Sequence, residues 1–459
     1  MRSLPSTDGQ RPSTIGRMSP VSRGRKAKKG RKAKASKGGK RAAGFGGSLQ
    51  RSTHGLPAGA GQWASTALDA LMAPPERPEW FDASIAGVLH RADVVLTAQG
   101  PRELEQAVAE LAGAEVYRAL HDERRGLWFD WLFQELAEGA AVRVREESHR
   151  QDGAWEGPWW LLHGLTSIGS PALRSIAQDA LATAAKGLPA GTAAGQPEWL
   201  GLLPQIAATG DVWEMHDAYG TRFAVIAGFC YPGGVDESVF LFDIDACGDI
   251  RLFGADVFDD VDQAAAAWRA VLGEAAAGAR PSLVETAERL YCLAYLDAGE
   301  EILIGSEPRA VTDNWFRARR RTHDLVEVLG KRGMPLPETK SLFQGIDTTP
   351  MEEAFTGWYE RRHGTAPDPE VVGAVAEEWL EGALPGTWHA ASPHRAAYQH
   401  SLISDWIPGD PVTVAARALL PEWVRWNGEQ TGLPEHLIDR AVAAAAGAEP
   451  PSDCAAGSL

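Results

Sequence analysis

Two carboxylates spaced two apart, Asp243 and Asp245, are the first residues whose pattern suggests chemistry. Alternate residues of a strand project from one face, so both side chains share a side. Paired carboxylates on one face can hold Mg²⁺ or Mn²⁺, and with His216 they would furnish a metal-dependent hydrolase. Asp249, Asp256, Asp259, Asp260 and Asp262 extend the acidic run. The string from Asp243 partly mimics an EF-hand loop, but Cys247 stands at the third ligand position and Gly254 at the twelfth, where a Glu is required. The ordinary reading is a charged strand edge followed by Asp turn and cap residues. On that reading Asp243 and Asp245 bind no metal, and the chain carries no cofactor.

Three further clusters invite a site. The stretch around Trp160, His163, Gly164 and Ser167 suggests a nucleophile elbow, but Leu165 stands where Gly is needed and no strand precedes it. A helix end relaxed at Gly164 is the plainer expectation. His389, His394 and His400 could together ligate Zn²⁺, yet spacings of five and six do not stack on a helix face. They read as loop and surface histidines. Arg317, Arg319, Arg320 and Arg321, with Lys331 and Arg332 beyond, form a basic helix that could contact phosphates or else a solvated face. GxxxxGK[ST], HExxH and CxxC are absent, and the GxG strings, Gly44–Gly46 and Gly59–Gly61, follow no strand pattern, so ATPase, zinc-protease and dinucleotide readings lack support.

The strongest compositional signal is charge. Residues 1–52 hold fifteen Lys/Arg against one acid, Asp8, a charge of +14, while the rest of the chain carries 30 basic and 60 acidic residues, −30. Seven of the ten lysines fall between Lys26 and Lys40 in a chain that otherwise uses arginine, as GC-rich bacterial genomes do. Residues 1–60 have little to bury and repel themselves, so they are expected to remain disordered. The cations Arg23, Arg25, Lys26, Lys28, Lys29, Arg31, Lys32, Lys34, Lys37, Lys40 and Arg41 are the expected nucleic-acid contacts, since flexible Lys/Arg segments neutralise phosphates without a fixed fold. In composition this segment resembles the basic extensions of some bacterial nucleoid proteins, a likeness confined to the tail. Met18, just before the cluster, offers an alternative translation start.

The body must bury a large core. Of 459 residues 44% are hydrophobic, and all seventeen Trp lie at or after Trp63. No run approaches the roughly 18–20 apolar residues of a membrane span, and no apolar stretch follows the N-terminal cations as in a secretory signal. Four scattered cysteines are too few for a disulfide framework in so long a chain and suit a reducing compartment, so a cytoplasmic protein with no membrane partner is expected.

The expected fold class is α+β, mostly helical, with a central three-stranded antiparallel β-meander followed by a helix and preceded by the basic tail. The meander comprises Arg222 to Tyr231, Ser238 to Asp245 and Ile250 to Phe253, punctuated by Pro232-Gly233-Gly234 and Ala246–Asp249. Helices are expected from about Asp260, over 282–296, after Pro171 and Pro369, and from Pro421 and Pro434, with a short strand at Glu301 to Ile304. The Gly/Pro/Ala segment 187–197 marks a boundary. The expected regions are a 1–60 tail, 61–195 Trp-rich helices, a 196–310 α+β domain, 311–447 helices and a 448–459 loose end.

These readings favour a non-enzymatic binding protein whose tail contacts nucleic acid or another polyanion and whose body meets an unknown protein partner. The alternatives are an enzyme of unrecognised family using Asp243 and Asp245, and an immunity or defence-accessory protein whose acidic body caps a basic partner.

Overall fold

A strand covered on both faces reads as a near-continuous apolar run, and Arg222–Tyr231 (RFAVIAGFCY) has that form at the centre of the sheet. The computed structural model describes residues 80–121, 129–149, 153–189, 195–248, 250–285, 290–297, 308–336, 346–381, 383–384 and 386–450. All of them lie in one compact unit, Glu76–Leu459. The basic tail, Asp249, the centre of the 187–197 boundary, Glu301 to Ile304 and the last nine residues fall outside the described residues.

The fold is α+β, as expected, but among the described residues its antiparallel sheet has five strands rather than three. They are β1 Ala207–His216, β2 Arg222–Tyr231, β3 Val235–Asp245, β4 Arg251–Phe258 and β5 Ser282–Leu283, in the order β4-β3-β2-β1-β5. The β2–β3 turn at Pro232–Gly234 places Gly233 at φ 79° and Gly234 at φ 73°, conformations that glycine adopts without Cβ strain. β1 escapes a pattern reading because Gly210, at φ 88°, interrupts it and its register with β2 shifts between Ala208 and Val212. The expected helix over 282–296 is corrected too: β5 takes its start, and among the described residues the helix is Tyr291–Asp297.

Each face of the sheet carries its own core. Val225, Ala227, Phe229, Phe240, Phe242 and Ile244 face one side, and Ala224, Ile226, Val239 and Leu241 the other. Helix α6, Val261–Leu272, lays Ala264, Ala265, Trp268 and Leu272 on the second face. Its N-cap is Asp260, which accepts the Gln263 amide, so one of the aspartates in the acidic run has a local structural task. After α7, Tyr291–Asp297, and the short α8, Arg309–Asp313, helix α9 (Trp315–Lys331) sets Ala318, Leu325 and Leu329 against the first face.

Before the sheet come α1 Trp80–His90, α2 Pro101–His121, α3 Phe129–Glu147, α4 Glu156–Ile168 and α5 Pro171–Gly187. Their core includes Val108, Phe133, Ala137, Leu161, Leu162 and Leu165. Gly164 lies inside α4, not at its end, and a Cβ there would meet Val108 Cγ2 at 2.4 Å. Its function is close helix packing, which replaces the expected backbone relaxation.

After the sheet, α10 Thr349–His363, α11 Pro369–Leu380, α12 Pro393–Ser404, α13 Pro411–Gln430 and α14 Glu435–Ala445 pack around Phe355, Trp379, Trp423 and Trp426. Asp368 caps α11 as its Asp-Pro start implies. Pro421 opens no helix; it lies within α13, which begins ten residues earlier behind the cap Asp410. Proline signals a helix start only weakly when the surrounding apolar face continues through it. Among the described residues no helix is long and apolar enough to cross a membrane.

Candidate functional site

Asp243 and Asp245 end up in different chemical settings. Asp243 is fully buried on β3 and receives Arg222 in a two-pronged pair, Nε to Oδ1 at 2.6 Å and Nη2 to Oδ2 at 2.7 Å. Trp268 Nε1–H of α6 donates to the same Oδ1 at 2.9 Å. Both carboxylate oxygens are thereby occupied, and Arg222 stacks over the Phe253 ring at 4.3 Å. The expected solvated edge is corrected here: β2 and β4 flank β3, and neither acid faces open solvent. His216, the third member of the hydrolase reading, turns its Nδ1 to the Asp217 carbonyl at 2.8 Å.

Asp245 closes β3 and meets a different company. Its Oδ1 accepts the Cys247 amide at 3.2 Å, while the Ala246 amide donates to Thr221 O at 2.8 Å, so the turn is tied to β2. Cys247 Sγ lies 3.1 Å from Ser392 Oγ, 145 positions on. Ser392 is the N-cap of α12 and accepts the Arg395 amide at 3.1 Å. His394, in the first turn of that helix, completes the group: one donor atom from each of Asp245, Cys247 and His394 lies within 4.8 Å of the others. Burial first, then the Asp245 carboxylate, pushes the Cys247 thiol well above its ordinary range. Nearby Asp217 is lifted by burial to about 6, although the Arg222 and Thr221 amides hold its charged form. Oxygen, sulfur and nitrogen donors gathered this way can bind a divalent transition ion.

The other two histidines of the sequence trio are elsewhere. His389 Nδ1 meets Asn427 Oδ1 at 2.8 Å, edge-on to Trp426, and His400 Nδ1 meets Ala445 O at 2.8 Å. The structure does not bring the three together.

Arg317, Arg320 and Arg321 are buried at 0%, 2% and 2% exposure, so for these three both readings, a solvated face and a phosphate contact, are overturned. At spacings of three and four they share one inward helix face: Arg317 and Arg321 meet Glu105 of α2, while Arg320 pairs with Asp324 of its own helix at 2.7 Å. Arg321 Nη2 reaches Glu105 Oε1 at 2.5 Å and Oε2 at 2.6 Å, and Arg317 Nη1 stands 3.7 Å from Oε1. Tyr231 O–H donates to Oε2 at 2.9 Å, and Ser167, far from being a nucleophile, donates its hydroxyl to the same oxygen. Burial works to raise the Glu105 carboxyl, but the two guanidiniums override it and hold it low. The other cations named with them reach the surface: Arg319 pairs with Asp130 at 2.9 Å, Lys331 with Glu327 at 2.5 Å, and Arg332 donates to the Gly210 carbonyl at 2.9 Å. Glu105 had no sequence signal beyond being an acid at an apolar position of α2, one residue after buried Leu104.

The tail cations, from Arg23 to Arg41, lie outside the described residues. No protein-family model matches this chain, and no curated protein or solved structure matches it.

Proposed function

We propose that this chain is a polyanion-binding protein: the basic segment engages nucleic-acid phosphates, and the acidic body engages a protein partner without catalysing a reaction. The observation that carries this reading is the split of charge, +14 over residues 1–52 against −30 over the rest. Burial of Arg317, Arg320 and Arg321 supports it, because it removes the body's densest cationic run from the candidate contacts and leaves the tail as the basic element. The body's acids repel a phosphate backbone, so they limit contact to the segment that carries opposite charge.

Fluorescence anisotropy on duplexes of unrelated sequence tests the reading. The full-length chain is compared with a full-length variant in which the eleven cations from Arg23 to Arg41 named above are replaced by glutamine. Binding of the native chain to all duplexes, with loss in the variant, is expected. Equal affinity of the two proteins refutes the tail's role.

A further inference from the structure

We propose that Asp245, Cys247 and His394 form a zinc-binding site that joins the end of β3 to the start of α12. The three donor atoms lie within 4.8 Å of one another. Tetrahedral zinc with bonds of about 2.0–2.3 Å holds its donors roughly 3.3–3.8 Å apart, so closure asks for side-chain movements of about 1 Å. The donor set selects the class of ion. Magnesium and calcium take oxygen ligands, whereas zinc accepts carboxylate, thiolate and imidazole together. Three protein donors leave one tetrahedral place for solvent.

Asp245 and His394 sit on a strand and a helix, and Cys247 sits in the bend that follows β3. Asp245 is paired in the sheet on both sides, opposite Arg222 of β2 and Arg251 of β4. The Cys247 amide is fixed to Asp245 and its sulfur faces Ser392. The first turn of α12 is pinned by Arg395, whose guanidinium donates to the carbonyls of Thr387, Ala390 and Trp379 at 2.5, 3.0 and 2.6 Å and stacks on the Trp379 ring. His394 rides on that turn, half-buried. Its ring makes no hydrogen bond among the described residues, in contrast to His389 and His400, each of which spends a ring nitrogen on Asn427 or Ala445. An imidazole left uncommitted beside a carboxylate and a thiol is placed as a ligand.

This assignment reverses the sequence-based expectation of no metal at Asp245, and it leaves Asp243 outside the site, since Arg222 and Trp268 occupy both its oxygens. It is independent of the tail reading.

The test uses full-length protein carrying Cys454→Ser, which removes the cysteine outside the described residues, stripped of metal by chelator under reducing conditions. Titration with Co²⁺ should give one equivalent of uptake, a sulfur-to-cobalt charge-transfer band and the visible absorption of a tetrahedral site, all abolished by Zn²⁺. Adding Cys247→Ser should remove the charge-transfer band. Asp245→Asn and His394→Ala should each weaken Zn²⁺ binding about tenfold or more, the range seen for lost supporting groups at metal centres. The half-buried position of His394 makes its variant the folding control: in chelator it should melt as the parent does, and it should lose the rise in melting temperature that Zn²⁺ gives the parent. Absence of the charge-transfer band, uptake undiminished in Cys247→Ser, or undiminished affinity in His394→Ala overturns the proposal.

Discussion

Arg321 of α9 grips Glu105 of α2 across 216 positions of sequence, at 2.5 and 2.6 Å, with both side chains nearly sealed from solvent. This pair, with Arg317, Tyr231 and Ser167, joins the N-terminal helices to the sheet-covering helix and the end of β2. Removing one partner leaves the other as a buried, poorly compensated charge, which typically costs about 3–5 kcal/mol. Arg321→Leu should therefore lower the denaturation midpoint strongly in urea followed by tryptophan fluorescence. Glu105 adds a pH term of defined sign. Its folded carboxyl lies below the ordinary 4.5, so its contribution is complete above that value and is lost as pH falls through the depressed one. Glu105→Gln should flatten the acid limb of the stability curve while lowering the neutral plateau.

Two helical glycines should differ in whether a second mutation rescues them. A Cβ on Gly164 would strike the Val108 side chain at 2.4 Å, and one on Gly113 would strike the Asp313 Cα at 2.2 Å. Overpacking costs about 1–3 kcal/mol, so Gly164→Ala should destabilise by that order, and Val108→Ala should recover part of the loss. Gly113→Ala should destabilise at least as much, with no recovery from side-chain truncation at 313, because the obstacle is backbone. Additive behaviour of Gly164→Ala and Val108→Ala in thermal melts would contradict this packing.

The same elements show what can be read from sequence. β2 is legible because both faces are buried and its whole length is apolar. The Asp260 and Asp368 caps are legible because helix starts are local chemistry. β1 is not, since the bulge at Gly210 breaks its alternation and only pairing with β2 restores it. Arg317, Arg320 and Arg321 mislead because charge dominates hydropathy patterns, while their three-and-four spacing, which does indicate one face, says nothing of which way that face turns. Asp245, Cys247 and His394 meet because α12 docks at the strand end, a long-range approach with no local trace in spacing. A pattern reading recovers periodicity and caps; it does not recover convergence.

His163 supplies a pH signature free of the ion cluster. Burial holds its imidazole down at about 4, although the bond to the Leu200 carbonyl favours the charged form. The ring is neutral in the folded protein, where the unfolded chain is already protonated below 6.5. The sign follows: the unfolded state binds the extra proton, so stability is full above pH 6.5 and falls as pH drops toward 4. At 1.36 kcal/mol per unit the loss approaches about 3 kcal/mol. Asp217, lifted to about 6, opposes this in part, since its protonated form is favoured by folding. Melting curves from pH 7 to pH 4.5 on the native chain and on His163→Gln separate the two. The variant should lose stability less steeply with acid, and parallel curves would exclude His163 as the source.

Salt dependence is the most quantitative consequence of the proposed tail binding. If about five phosphates are neutralised, the slope of log K against log salt should be roughly −4 to −5. Contacts to phosphates position a protein without reading bases, so duplexes of different sequence should give superimposed lines. Binding should be measurable in low salt and fade toward physiological ionic strength, because ions screen the attraction and the body's 60 acids compete for the same cations. Replacing only Lys26, Lys28 and Lys29 should make the slope shallower by up to about one for each phosphate left unneutralised. The measurement is anisotropy at four or more salt concentrations for each duplex. A flat salt response would remove counterion release as the driving force. A marked preference for one sequence would place the reading element in the folded body, where Arg319 is the one member of the Arg317–Arg321 run that reaches solvent.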